Sequence, residues 1–165
     1  MTTNSMTEIM QGYVDVADCI EDFNRCSMVW AVENNMMGFK RFHRHESKEF
    51  HGYALAIEQC STENFGELTK NHRPVKYSPA NIKEHFEKYV NTLDAEMRKL
   101  QKLNKDFFNA TGTTYSVAQD MQQDLFNHIM KWKRWYRKLS DQKWEPMAIY
   151  MHDKWLHDWS RDKHG

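Results

Sequence analysis

A chain of 165 residues has room for one domain with a sizeable core and little more. Its 23 acidic and 23 basic side chains cancel, which excludes an overall electrostatic bias toward nucleic acid. Three cysteines without C-x-x-C spacing exclude a disulfide framework or a zinc knuckle, and three prolines with six glycines favour helix.

The N-terminal MTTNSMTEIM lacks the basic start and apolar centre of a signal peptide, and no apolar run approaches membrane-spanning length. The expectation is a soluble cytoplasmic protein with no transmembrane segment. Charge is uneven along the chain. Glu8, Asp15, Asp18, Glu21, Asp22 and Glu33 face only Arg25 within the first 37 residues. Lys131, Lys133, Arg134, Arg137, Lys138 and Lys143 face only Asp141 between 128 and 143. The simplest expectation is that the two segments lie close and compensate.

A first helix is predicted from about Met6 to about Asn35, with Ile9, Tyr13, Val16, Ile20, Phe23, Ser27 and Trp30 on one seam. Asn34, Asn35 and Gly38 mark a turn. The second helix starts between Phe39 and Glu46 and ends near Ser61 or continues through Leu68. Asn71 to Pro79 reads as an irregular linker, because Pro74 biases Arg73 away from helix. Ser78 and Pro79 are the expected cap and first residue of the third helix. Ile82, Phe86, Tyr89, Leu93, Met97, Leu100, Asn104 and Phe107 form its face, and Gly112 its left-handed C-cap.

Thr113 or Thr114 should cap the fourth helix. Ala118, Met121, Leu125, His128, Trp132, Trp135 and Leu139 make its apolar stripe. A fifth helix begins at Pro146, with Ile149, His152, Leu156 and Trp159 along one side. These elements form an all-α single domain, 1–165. A four-helix bundle occupies about 6–140 and a short C-terminal helix about 146–160. Periodicity does not choose between a crossover and an up-down topology.

Three constellations could carry chemistry. A carboxylate-bridged metal site needs acids and imidazoles at helical spacing, commonly as Glu-x-x-His, which occurs nowhere in this chain. Its nearest substitutes are Asp124 with His128, His51 with Glu58, His43 with Glu46, and Asp153 with His157. Asp124, His128, Glu58 and His51 are the candidate metal ligands, with a core histidine as the bland reading of His128. The segment from Lys131 to Trp144 interleaves cations and aromatics as single-stranded nucleic acid or an anionic membrane would require. Lys131, Lys133, Arg134, Arg137 and Lys138 would carry that surface, with Tyr136 and Trp144 as the aromatics left outside the core. The third is His43–His45, read as a polar helix entry.

Gly38 to Glu58 resembles a ferritin segment in the positions of Gly38, Phe39, Phe42, Ser47, Glu49 and Ala54. Phe50 and Tyr53 stand where a ferritin would have its ferroxidase Glu and His. The fourth helix resembles the last helix of the DNA-protecting mini-ferritins at Thr114, Met121, Trp132, Arg134 and Leu139. The resemblance implies a ferritin-like bundle and does not carry ferroxidase activity over.

The residues themselves favour a small non-enzymatic interaction protein acting through its surfaces. A protein partner or a homo-oligomer would cover its aromatics, and no cofactor is expected. The alternative is a ferritin-like protein binding iron or another divalent metal in the bundle. The second alternative is a nucleic-acid binder using residues 131–144.

Overall fold

The computed structural model describes residues 3–71 and 76–164. Helices α1 (Thr3–Glu33), α2 (Met37–Asn64), α3 (Ile82–Thr111), α4 (Ser116–Asp141) and α5 (Pro146–His164) account for nearly all of them, and no strand occurs among the described residues. No helix among the described residues is long and apolar enough to cross a membrane.

The apolar seams meet in one core. Tyr13, Ile20, Phe39, Phe42, Phe50, Phe86, Tyr89, Leu93 and Trp132 are all fully enclosed. Amphipathic helices of this length are stable chiefly through such burial, since propensity alone leaves them marginal in water. Trp132 is the hub. Its ring lies 4.2 Å from Tyr89, 4.6 Å from Phe86 and 5.4 Å from Phe42, centroid to centroid.

The topology is the crossover. α1 and α2 form an antiparallel hairpin closed by Asn34 and Asn35, the latter in the left-handed region at φ 58°. α2 stops at Asn64 instead of continuing through Leu68, and residues 65–71 lie beside the start of α1 while residues 76–81 lie beside its end. At the start of α1, the Thr7 hydroxyl donates to the Phe65 carbonyl at 3.3 Å and the Gln11 amide to the Thr69 carbonyl at 2.7 Å. At its end, the Trp30 indole donates to the Pro79 carbonyl at 3.2 Å. Pro74, on which the linker reading rests, lies outside the described residues. α3 therefore runs antiparallel to α1, and Tyr13 donates to Asn104 at 2.7 Å near the far end.

α1 begins at Thr3 and α2 at Met37, each slightly ahead of expectation, and two further helix starts differ in their caps. α3 begins at Ile82, not Pro79. Asn81 accepts from the Glu84 amide at 2.9 Å, and the Glu84 carboxylate accepts from the Ala80 amide at 2.7 Å. This reciprocal capping box outcompetes the Ser78–Pro79 signal, whose proline carbonyl is engaged by Trp30. α4 begins at Ser116 with Tyr115 as its N-cap and no side-chain cap. Thr113 donates its amide to the Thr111 hydroxyl in the turn instead. Gly112 is the left-handed C-cap of α3 at φ 73°, as its position implies.

α5 covers the end of the bundle where α2 starts. Its Asp153 carboxylate accepts the Phe39 amide at 2.9 Å and also engages the Gly38 amide. The N-terminus of α2, which has no local side-chain cap, is thus capped from another helix. The approach needs glycine, because a Cβ at Gly38 would come 1.8 Å from the Asp153 carbonyl oxygen.

Gly38→Ala should therefore cost about 1–3 kcal/mol through overpacking, read as a lowered urea midpoint. Gly52→Ala, where the added Cβ meets nothing, should stabilise by about 0.5–1 kcal/mol. Equal midpoints for the two variants would contradict the packing of α5.

Candidate metal centre

The seam between α2 and α4 gathers acids and imidazoles. Glu46, Glu49 and Tyr53 recur at steps of three and four, one stripe of α2, with His45 beside them. Asp124 and His128, one turn apart, face them from α4. Glu46 is only 1% exposed, and its Oε2 lies 2.6 Å from His128 Nε2. His45 Nε2 stands 3.2 Å from Glu49 Oε2 and 4.0 Å from Glu46 Oε1. One ligand atom from each of His45, Glu46 and Glu49 falls within 4.8 Å of the others.

Asp124 ties the cluster together. It accepts from the Tyr53 hydroxyl and is hydrogen-bonded to Glu49. Two carboxyl groups can share such a bond only if one holds a proton. Burial and the Glu49 contact raise Asp124 to about 6, while the hydrogen bond from His45 lowers Glu49. Of this pair Asp124 is the carboxyl that takes up the first proton, as pH falls through about 6, while Glu49 stays ionised. The Glu46–His128 approach is close but poorly directed. Glu46 Oε2 has His128 Nε2 as its near neighbour, whereas the other ring nitrogen, His128 Nδ1, is buried with no hydrogen-bond partner among the described residues. Buried polar atoms without partners are rare and costly. Three carboxyls and two imidazoles form the mixed oxygen–nitrogen set that suits iron(II), manganese(II) or zinc(II).

Asp124 and His128 thus lie together with Glu46 and Glu49 of α2. His51 and Glu58 stand apart from them. His51 Nδ1 contacts Glu21 at 3.1 Å, and Glu58 contacts Lys70 at 3.5 Å. Sequence reasoning missed His45, Glu49 and Tyr53 as site residues and paired Glu46 with His43. The His-Glu-x-x-Glu-x-x-x-Tyr spacing was the available signal. The residues at the ferritin ligand positions are different in kind. Phe50 is buried in the apolar core, its ring 5.4 Å from that of Tyr53.

His43 is no polar helix entry. It is fully buried and belongs to a hydrogen-bonded chain through the aromatic core. Asn24 Oδ1 accepts from His43 Nδ1 at 2.8 Å and from the Tyr89 hydroxyl at 2.9 Å. His43 Nε2 meets His85 Nε2 at 2.9 Å, and His85 Nδ1 meets the Tyr77 hydroxyl. An amide oxygen cannot donate, so one assignment satisfies every atom. His43 carries its proton on Nδ1, His85 on Nε2, and Tyr77 donates to His85. Both rings are neutral. Burial holds His43 well below its ordinary range and lowers His85 to about 3.

The basic segment is partly spoken for. Lys133 pairs with Asp94 of α3 at 3.8 Å, not with the acids of α1, of which Glu21 pairs with Arg25 at 3.0 Å. Tyr136 donates to Glu87 at 2.9 Å and packs on Trp144, which itself packs on Phe86. Neither aromatic is the free ring that the sequence suggests. The Lys131 ammonium lies 5.0 Å from the Trp159 ring centre, and Arg134, Arg137 and Lys138 are exposed.

The buried pair makes stability pH-dependent with a definite sign. Unfolded histidines take up protons near pH 6.5, whereas His85 resists until about 3, so stability is lost as pH falls between these values. Asp124 opposes this, since its raised value favours the folded state as pH falls through about 6. His85→Gln isolates the histidine contribution. Relative to the parent, its urea-derived stability should be less pH-dependent between pH 6 and 4 by about 1.4 kcal/mol per pH unit. Identical slopes would show that His85 titrates normally.

No family model matches the sequence, and no curated protein matches it. Solved structures do. The crystal structure of ferritin from the multicellular green alga Ulva pertusa superposes with a TM-score of 0.80 at 14% identity, over 92% of this chain and 83% of that one. Apo-ferritin from Pseudo-nitzschia multiseries gives 0.75 at 14% identity, over 91% and 97%. A PmFTN variant soaked in iron gives 0.77 at 13% identity, over 91% and 97%. The long crossover, the antiparallel helix pairs and the short terminal helix are thus those of a ferritin-like bundle, and that is the fold of this chain.

Proposed function

We propose that this chain is a ferritin-like metal-binding protein whose ion, iron(II) foremost, sits in the α2–α4 seam. The carrying observation is the buried Glu46 carboxylate, 2.6 Å from His128 and with ligand atoms of His45 and Glu49 within 4.8 Å. Glu46 and His128 would hold the ion, with His45 and Glu49 as further ligands. Asp124 would orient Glu49, and its uptake of a proton as pH falls through about 6 would oppose binding. A divalent cation supplies the positive charge that a buried carboxylate otherwise lacks. Iron is favoured by the hard oxygen donors with imidazole and by the likeness to a structure soaked in iron. This reading accounts for groups that a purely surface-acting protein would have no reason to bury.

Calorimetric titration of the purified protein with ferrous iron under anaerobic conditions, and with zinc(II), tests it. Stoichiometric binding should weaken about tenfold or more in Glu46→Gln and in His128→Ala, a loss of about 1.4 kcal/mol or greater. Glu58→Gln, whose partner is Lys70, should bind as the parent does. At a hundredfold excess over Kd the ion should add about 2.7 kcal/mol of stability. Absence of binding heat, or unchanged affinity in Glu46→Gln, sinks the proposal.

A further inference from the structure

Helix α5 is apolar on two sides. Ile149, His152 and Leu156 turn inward against the bundle, His152 and Leu156 being buried. Met147, Tyr150, Met151 and Trp155 recur at steps of three, one and four and form a second, outward stripe. Their exposures of 68%, 60%, 55% and 48% make this the densest run of exposed large apolar side chains among the described residues. Single exposed apolar residues need no explanation, but a continuous stripe on one helix does.

The surroundings of the stripe are positive. Lys154 lies within it and is exposed. On α4, Lys131, Arg134 and Lys138 share the side next to α5. Trp135 of that side meets Trp155 at 5.7 Å, and Lys138 lies close enough to His152 to help lower its pKa. Asp141 and Glu145, beside the turn before α5, are exposed and leave the cations in excess, and the described acids of α5 have partners. Asp153 turns inward to cap α2, and Asp158 contacts His157 at 3.6 Å.

We propose that the outward face of α5, with the adjoining cations of α4, seats this protein on an anionic lipid surface. A helix that lies flat on a membrane needs an apolar face of Trp, Tyr and other large side chains bordered by Lys and Arg, and α5 presents that face already folded. Tyrosine and tryptophan suit the boundary between headgroup and acyl chain. A second copy of the chain fits less well, because two such faces brought together oppose cation to cation. Single-stranded nucleic acid also fits less well. The methionines offer nothing to stack on, and Trp155 already stacks on Trp159 at 6.4 Å and 23°.

Sedimentation of the full chain with phosphatidylcholine vesicles, with and without phosphatidylserine, tests this, read together with tryptophan emission. Binding with a blue-shifted emission is expected on the phosphatidylserine vesicles only, weakening as salt is added. The Met147→Ser/Met151→Ser variant and the Lys138→Glu/Lys154→Glu variant should each bind about tenfold more weakly or worse, with unchanged helical circular dichroism. No binding to phosphatidylserine vesicles overturns the proposal. So does a self-associated species that the methionine variant dissolves, or binding to a single-stranded oligonucleotide in place of vesicles.

Discussion

Asn24, His43, His85, Tyr77 and Tyr89 satisfy one another inside a shell of rings, and the register of three helices hangs on that closure. Slide α1 by a turn and Asn24 loses both donors; slide α3 and the two imidazoles separate. An apolar core tolerates such shifts, because hydrophobic contact is not directional. A buried polar chain does not, since every orphaned atom carries its full desolvation penalty. Trp132 packs over this chain from α4, 5.4 Å from His43 and 5.6 Å from His85. Against this polar chain the fourth helix is held by ring packing, and its hydrogen bonds to α2 and α3, among them those from Tyr53 to Asp124 and from Tyr136 to Glu87, lie elsewhere.

The same filling moves ionisable groups to the edge. With Phe50 and its apolar neighbours enclosed, acids in the bundle interior would have no water and no counter-charge. Glu46, Glu49, Asp124 and His128 instead occupy a seam where one side is protein and the other opens toward solvent. His45 and Glu49 are about a third exposed there.

Much of the fold was legible in the chain because helical periodicity records burial directly. The stripes of α3 and α4 name the core residues almost one for one, whereas α1 buries a second row, Met10, Val14, Ala17 and Ala31, that its seam leaves out. Helix ends were less legible, since Ser78–Pro79 and Asn81–Glu84 are both valid starts and only the tertiary use of the Pro79 carbonyl decides between them. The crossover was undecided because it depends on where residues 65–71 lie, and hydrogen bonds to Gln11 and Asp15 settle that without any periodic trace. At the seam, Asp124 and His128 announce themselves by spacing. Glu46 and Glu49 keep helical spacing too, but an acid on a helix reads as solvated until its neighbour across the bundle is known. His43 misleads for the opposite reason: its flanking Arg and His suggest a wet surface, yet its partners are on α1 and α3.

The capping of α2 by Asp153 joins residues 114 positions apart. A ribosome adding about 5–20 residues per second takes roughly 6–23 s to cover that distance. Throughout this interval the nascent α1–α2 hairpin has a frayed start, and the Gly38 surface that will receive α5 is bare. Completion of the bundle is therefore a late event in synthesis. Any chain terminated shortly before residue 153 would emerge with its four long helices but with the first turn of α2 unsecured.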